Sequence, residues 1–180
     1  DLNAGANLAG SIQLISGTLN VNTPIAATTF NQSGGTLQGA ATFTTTGLYT
    51  WTGGAMAGAG ITNANGGMSI SGIGKEIKGG RALNNTATAN YTGTGQLGVE
   101  GGSVINNSGI WDCQTDHLYT FVNGTRGSFN NLATGTFKKS AGIGETNMSI
   151  QMRNTGAIEV LTGRLIFTNA TASFVQTAGS

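Results

Sequence analysis

The chain has 180 residues, of which 31 are glycine, one is proline and only 8% are charged. Soluble domains usually carry ~25% charged residues and ~7% glycine, so acid–base chemistry is sparse here, and the low charge argues against solvated disorder. Eight basic and seven acidic residues leave a net charge of +1, which offers no electrostatic grip on nucleic acid or an anionic membrane. No apolar run approaches the ~20 residues of a membrane span.

In chain order, SGTLNV (16–21), FNQSGGTLQG (30–39) and FTTTGLYTW (43–51) each join a turn to alternating apolar residues. Their spacing is loose, so residues 1–60 read as irregular coils or a cap. GGAMAGAG (53–60) reads as turns, because it lacks the lysine and flanking elements of a phosphate loop. From Ile61 onward one phrase recurs: ITNANGGMSISG, LNNTATANYTG from Leu83, INNSGIWDCQ from Ile105, FNNLATGTFKKS from Phe129 and MRNTGAIEVLTG from Met152. Its asparagines, Asn63, Asn85, Asn107, Asn131 and Asn154, follow one another at steps of 22, 22, 24 and 23. KEIK (75–78), QLGVE (96–100) and YTFV (119–122) lie between the phrases, so each unit holds three short strand-like runs separated by turns. Residues 61–168 are the clear repeats. FVQTAGS (174–180) has the shape of FNQSGG (30–35), so 169–180 read as the start of a further coil and Ser180 as a cut within a longer chain.

A unit this short cannot bury a face alone, which is the signature of a solenoid. Glycine and β-branched residues disfavour helix almost everywhere, and period-two alternation is visible instead. Aligned phrases place Ala89, Trp111, Phe137 and Ile158 in one inward column, and Tyr91, Cys113, Lys139 and Val160 in a second. Between them Asn90, Asp112, Lys138 and Glu159 point outward, as a strand with one buried face requires. The expected fold is all-β: a single parallel β-helix, or β-solenoid, triangular in section, with 22–24 residues per coil and roughly eight coils over 1–180. An antiparallel sandwich or barrel of short strands is the competing reading. The asparagine column is expected at tight turns in the left-handed conformation, with stacked amides hydrogen-bonding along the rod. Asp112, Lys138 and Glu159 alternate in sign and are expected to favour the register by ~0.2–1 kcal/mol per cross-strand pair.

FNNLATGTFKKS and MRNTGAIEVLTGRLIF, with GGRALNN and GGSVINN, resemble the Gly/Asn/Thr-rich repeats of large bacterial secreted β-helix proteins, the autotransporter passengers and filamentous-haemagglutinin-like adhesins. The resemblance implies a right-handed coil, an extracellular or cell-surface address, and a rod used for adhesion, display or an extracellular fibre. It brings no catalytic motif and no cofactor. Implied partners are further copies stacked end to end or neighbouring repeats of a longer chain, and a glycan or surface protein.

Residues capable of chemistry each have a plainer structural account. Asp112, Asp116 and His117 hold metal-ligating and acid–base groups, but there is no second histidine, and a solvated turn explains them. Parallel β-helices include polysaccharide-binding and polysaccharide-degrading proteins; here no carboxylate pair recurs on neighbouring coils as a glycosidase needs, and the chain is read as a non-enzyme. Thr-x-Thr pairs such as Thr86/Thr88 and Thr134/Thr136 suggest an ice-binding face, but Ile110 and Ala157 interrupt the row. Trp51 and Trp111 read as core rather than sugar platforms. Lys75, Lys78 and Arg81, with Glu76 among them, read as a solvated edge. The lone Cys113 points inward as a small hydrophobe.

Overall fold

The computed structural model describes residues 8–121, 123–168 and 175–176. Among these the chain is an all-β parallel β-solenoid of about seven turns of ~21 residues, without helix. Each coil contributes strands to three faces. The first face stacks Thr42–Thr45, Ile61–Ala64, Ala82–Asn85, Val104–Asn107, Ser128–Asn131 and Gln151–Asn154. The second stacks Tyr49–Trp51, Met68–Ile70, Thr88–Tyr91, Ile110–Cys113, Thr136–Lys139 and Ala157–Val160. The long strand Ile25–Gln32 turns the corner between them, pairing Ile25 with Phe43 on one face and Phe30 with Tyr49 on the other. The third face runs from Thr18–Asn20 through Lys75–Ile77 and Leu97–Val99 to Arg164–Phe167.

Register along the first face gives the coil lengths directly. Ile25, Phe43, Thr62, Leu83, Ile105, Phe129 and Met152 are successive partners, at steps of 18, 19, 21, 22, 24 and 23 residues. The early coils are shorter than the 22–24 read from the repeats, so the mean period is lower. Residues 8–60 are themselves coils: Leu8–Leu14 pairs in parallel with Ile25–Gln32, and GGAMAGAG contains the strand Gly54–Met56. The expected start of a further coil at 169–180 lies outside the described residues except for Val175–Gln176, which pairs with Arg153 and Asn154.

The core is built from columns of like side chains, since parallel in-register stacking places equivalent positions above one another. On the second face Phe30, Tyr49, Met68, Ala89, Trp111 and Phe137 are all fully buried in one column, capped by the partly buried Ile158. Rings from different faces meet edge to face: Trp111 with Phe129 at 5.3 Å and Phe129 with Phe137 at 5.1 Å between centroids. Such pairs add about 0.5–1.5 kcal/mol beyond their burial. At the corner between the first two faces the coils above Ala87 leave no room for a side chain. A Cβ on Gly109 would stand 2.0 Å from the Ala87 carbonyl oxygen, and one on Gly156 would stand 2.2 Å from that of Gly135.

Candidate functional site

The asparagine repeats form two hydrogen-bonded ladders, one on each side of the first-face sheet. The inner ladder is buried: Asn85, Asn107, Asn131 and Asn154 are at most 2% exposed. Asn85 Nδ2 donates to Asn107 Oδ1 at 2.9 Å, Asn107 Nδ2 to Asn131 Oδ1 at 2.8 Å, and Asn131 Nδ2 to Asn154 Oδ1 at 2.7 Å. Each of these three also donates to carbonyls lining the corner, as Asn107 Nδ2 does to Gly109 O at 3.1 Å and Thr136 O at 3.2 Å. These asparagines therefore supply donors to carbonyls that face away from water, where an unmet acceptor is costly.

The expected left-handed turn conformation is not what holds them. Among the described residues every positive φ belongs to glycine, and these asparagines are the last residues of strands. Asn63 is also out of the column assigned to it. It pairs with Asn84, while Ala64 stands opposite Asn85, because that coil is one residue shorter than the phrase spacing suggests. Asn63 belongs to the outer ladder: Asn63 Nδ2 donates to Thr44 Oγ1 at 3.3 Å, and Asn84, Asn106 and Asn130 each donate to the preceding asparagine at 2.8, 2.9 and 2.8 Å. The outer ladder donates towards the N-terminal coil and the inner one towards the C-terminal coil, so their amide dipoles oppose each other across the sheet. The doublets Asn84–Asn85, Asn106–Asn107 and Asn130–Asn131 carry this information, since adjacent strand residues point to opposite faces. The inner ladder ends below Asn85, whose buried Oδ1 has no donor where Ala64 stands.

On the second face Asn90, Asp112, Lys138 and Glu159 are in register, as are Thr88, Ile110, Thr136 and Ala157. The alternating charges do not meet. None of the ion pairs among the described residues joins them, and Asp112 is instead 9% exposed, with Oδ2 accepting from Gln114 Nε2 at 3.0 Å. The threonine row is interrupted by the exposed Ile110.

Asp116 stays in a half-exposed turn, with 40% of its side chain accessible, but His117 does not. His117 is 5% exposed and its ring lies 3.9 Å from that of Tyr91. Burial lowers its pKa to about 4. Asp116 accepts from the fully buried Lys139 Nζ at 2.7 Å and from the Gly144 amide at 3.0 Å, and the lysine holds the carboxyl below its ordinary range. Lys75 and Arg81 are likewise interior rather than at a solvated edge. Lys75 Nζ donates to Ser71 O at 2.8 Å and Gly72 O at 2.7 Å, and burial lowers its pKa to about 8. Arg81 donates to Thr62 Oγ1 and Ala57 O, both at 2.9 Å. In each case corner carbonyls or hydroxyls substitute for water around the cation, and of that cluster only Lys78 and Glu76 are half-exposed, paired at 2.7 Å. Cys113 is fully buried, which pushes its thiol up to about 12. No group of three or more His, Cys, Asp and Glu side chains placed to hold a metal ion occurs among the described residues.

These features define a repeat protein of the parallel β-solenoid class, with polar ladders built into its walls. No family model, no curated protein and no solved structure matches the chain.

Proposed function

We propose that the chain is a structural rod: a segment of a bacterial extracellular or cell-surface protein whose stacked coils support adhesion or continue into a fibre. The observation that carries this reading is the continuity of the two amide ladders along the first face. The outer one links Thr44 to Asn130 and the inner one Asn85 to Asn154, each step crossing from one coil to the next. Every coil junction spanned in this way is fixed by side-chain as well as backbone hydrogen bonds, so bending or register slip must break both. A nearly thiol-free chain rich in asparagine, threonine and glycine suits an oxidising exterior.

Solenoid ends are strand edges, and such edges pair with further strands unless covered. The rod reading therefore includes end-to-end association of copies or continuation into neighbouring repeats. Sedimentation velocity over a wide concentration range tests it. Open-ended association gives a weight-average sedimentation coefficient that keeps rising with concentration. A single species of unchanging coefficient at every concentration removes the fibre branch of the reading.

A further inference from the structure

We propose that a notch on the third face, floored by Gly98, binds an alkyl cation: a primary ammonium or guanidinium group on a short aliphatic stem. In the outward column of that face Gly98 stands in register between Glu76 of the preceding coil and Thr120 of the following one. With no side chain at Gly98 the column is broken, and a hollow of about 390 Å³ opens beside it, within the usual range for small-ligand sites. The connection preceding Leu97–Val99 forms one wall through Gln96, and Ile73, 75% exposed, stands at the rim.

Lys75 lines the hollow too, but its Nζ is turned onto Ser71 O and Gly72 O; the two carboxylates that line it are not equally provided for. Glu76 is paired with Lys78 at 2.7 Å. Glu100 takes part in none of the ion pairs among the described residues, and its Oε2 is enclosed without a hydrogen-bond partner. Arg126, whose backbone bridges to that of Glu100, directs its guanidinium elsewhere, over the Phe121 ring at 4.6 Å and onto Ser149 O at 2.6 Å. An enclosed acceptor without a donor calls for a partner, and an uncompensated carboxylate selects one that also brings positive charge. A neutral hydroxyl would meet the first need and leave the second. The apolar rim at Ile73 and the bare backbone at Gly98 suit the methylene stem that carries such a head group. The notch is independent of the rod's ends, so this inference holds whether or not the rods associate.

The test is an amide-detected NMR titration of the whole chain with n-butylammonium and n-propylguanidinium, set against the neutral isosteres n-butanol and n-propylurea. The cations are expected to shift the amides of residues 94–98 and Glu100, and the isosteres are not. Glu100→Gln is expected to weaken cation binding ~10-fold or more. Gly98→Leu is expected to abolish binding with the fold retained, because a Cβ there meets nothing closer than 3.4 Å. A blocked tripeptide bearing central lysine or arginine separates the sources. Tighter binding than the simple cations assigns the site to a basic side chain of a partner protein, and weaker binding assigns it to a free amine or guanidine. The proposal is overturned if neither cation shifts these amides, if the isosteres shift them equally, or if Glu100→Gln titrates like the parent chain.

Discussion

Removing one rung of the inner ladder is expected to cost far more than removing its neighbour on the outer ladder. Asn107→Ala deletes an acceptor for Asn85 Nδ2 and donors to Asn131 Oδ1, Gly109 O and Thr136 O. Asn85 Nδ2 keeps Ala87 O and Ile110 O, and Gly109 O keeps the amide of Thr136. The Asn131 Oδ1 atom, on a residue 1% exposed, loses the amide donor that satisfies it and lies away from water. One orphaned buried acceptor costs about 1–3 kcal/mol, and each lost internal hydrogen bond about 1 kcal/mol net. With the small void left behind, the sum is about 3–5 kcal/mol. Asn106→Ala breaks bonds of the same length to Asn84 and Asn130, but at a half-buried position where water replaces the lost partner, so about 1 kcal/mol or less is expected. Urea unfolding followed by circular dichroism, with slopes compared, measures both. Equal losses for the two variants would refute the claim that burial gives the inner ladder its weight.

Three further outcomes follow from the same geometry. Ala64→Asn places an amide where the buried Asn85 Oδ1 lacks a donor, and is expected to raise stability by about 1 kcal/mol; a lower urea midpoint would show that the corner has no room for it. Gly109→Ala brings a Cβ to 2.0 Å from Ala87 O and is expected to cost about 3 kcal/mol or more, as overpacking against backbone cannot relax. Thermal melting reads this directly, and a parent-like melting temperature would contradict it. His117, whose pKa falls from 6.5 to about 4 on burial, gives an acid dependence of definite sign. As pH drops below 6.5 the unfolded chain takes up a proton that the folded chain refuses, so stability declines by about 3 kcal/mol down to about pH 4 and then levels off for this group. His117→Phe should remove that slope between pH 6.5 and 4, and an unchanged profile would count against it.

The sequence shows the repeat wherever coil length is steady and hides it where coil length drifts. From Asn85 to Asn154 the spacing of the phrases equals the true register, and the inward column of Trp111, Phe137 and Ile158 follows from alternation alone. Upstream, coils of 18, 19 and 21 residues blur the phase, so Asn63 is displaced by one residue and one residue of slip exchanges the faces of a strand. That single step separates the inner ladder from the outer. Two buried cations are illegible for a different reason. Lys75 and Arg81 lie inside because corner carbonyls and a threonine hydroxyl receive them, and those acceptors come from other coils or from turn backbone, which composition cannot locate, whereas alternation already puts Lys139 in an inward column. Charged residues are almost never fully buried unless paired, so a solvated edge is the natural sequence reading. The notch depends equally on register, since Gly98 becomes a floor only when Glu76 and Thr120 stand on either side of it.

Electron microscopy of the purified 180-residue chain over a range of concentrations tests the rod most directly. The account predicts narrow filaments with an axial layer spacing of ~4.8 Å, the separation of hydrogen-bonded strands in stacked coils. Compact particles without that spacing, unchanged as concentration rises, would contradict it.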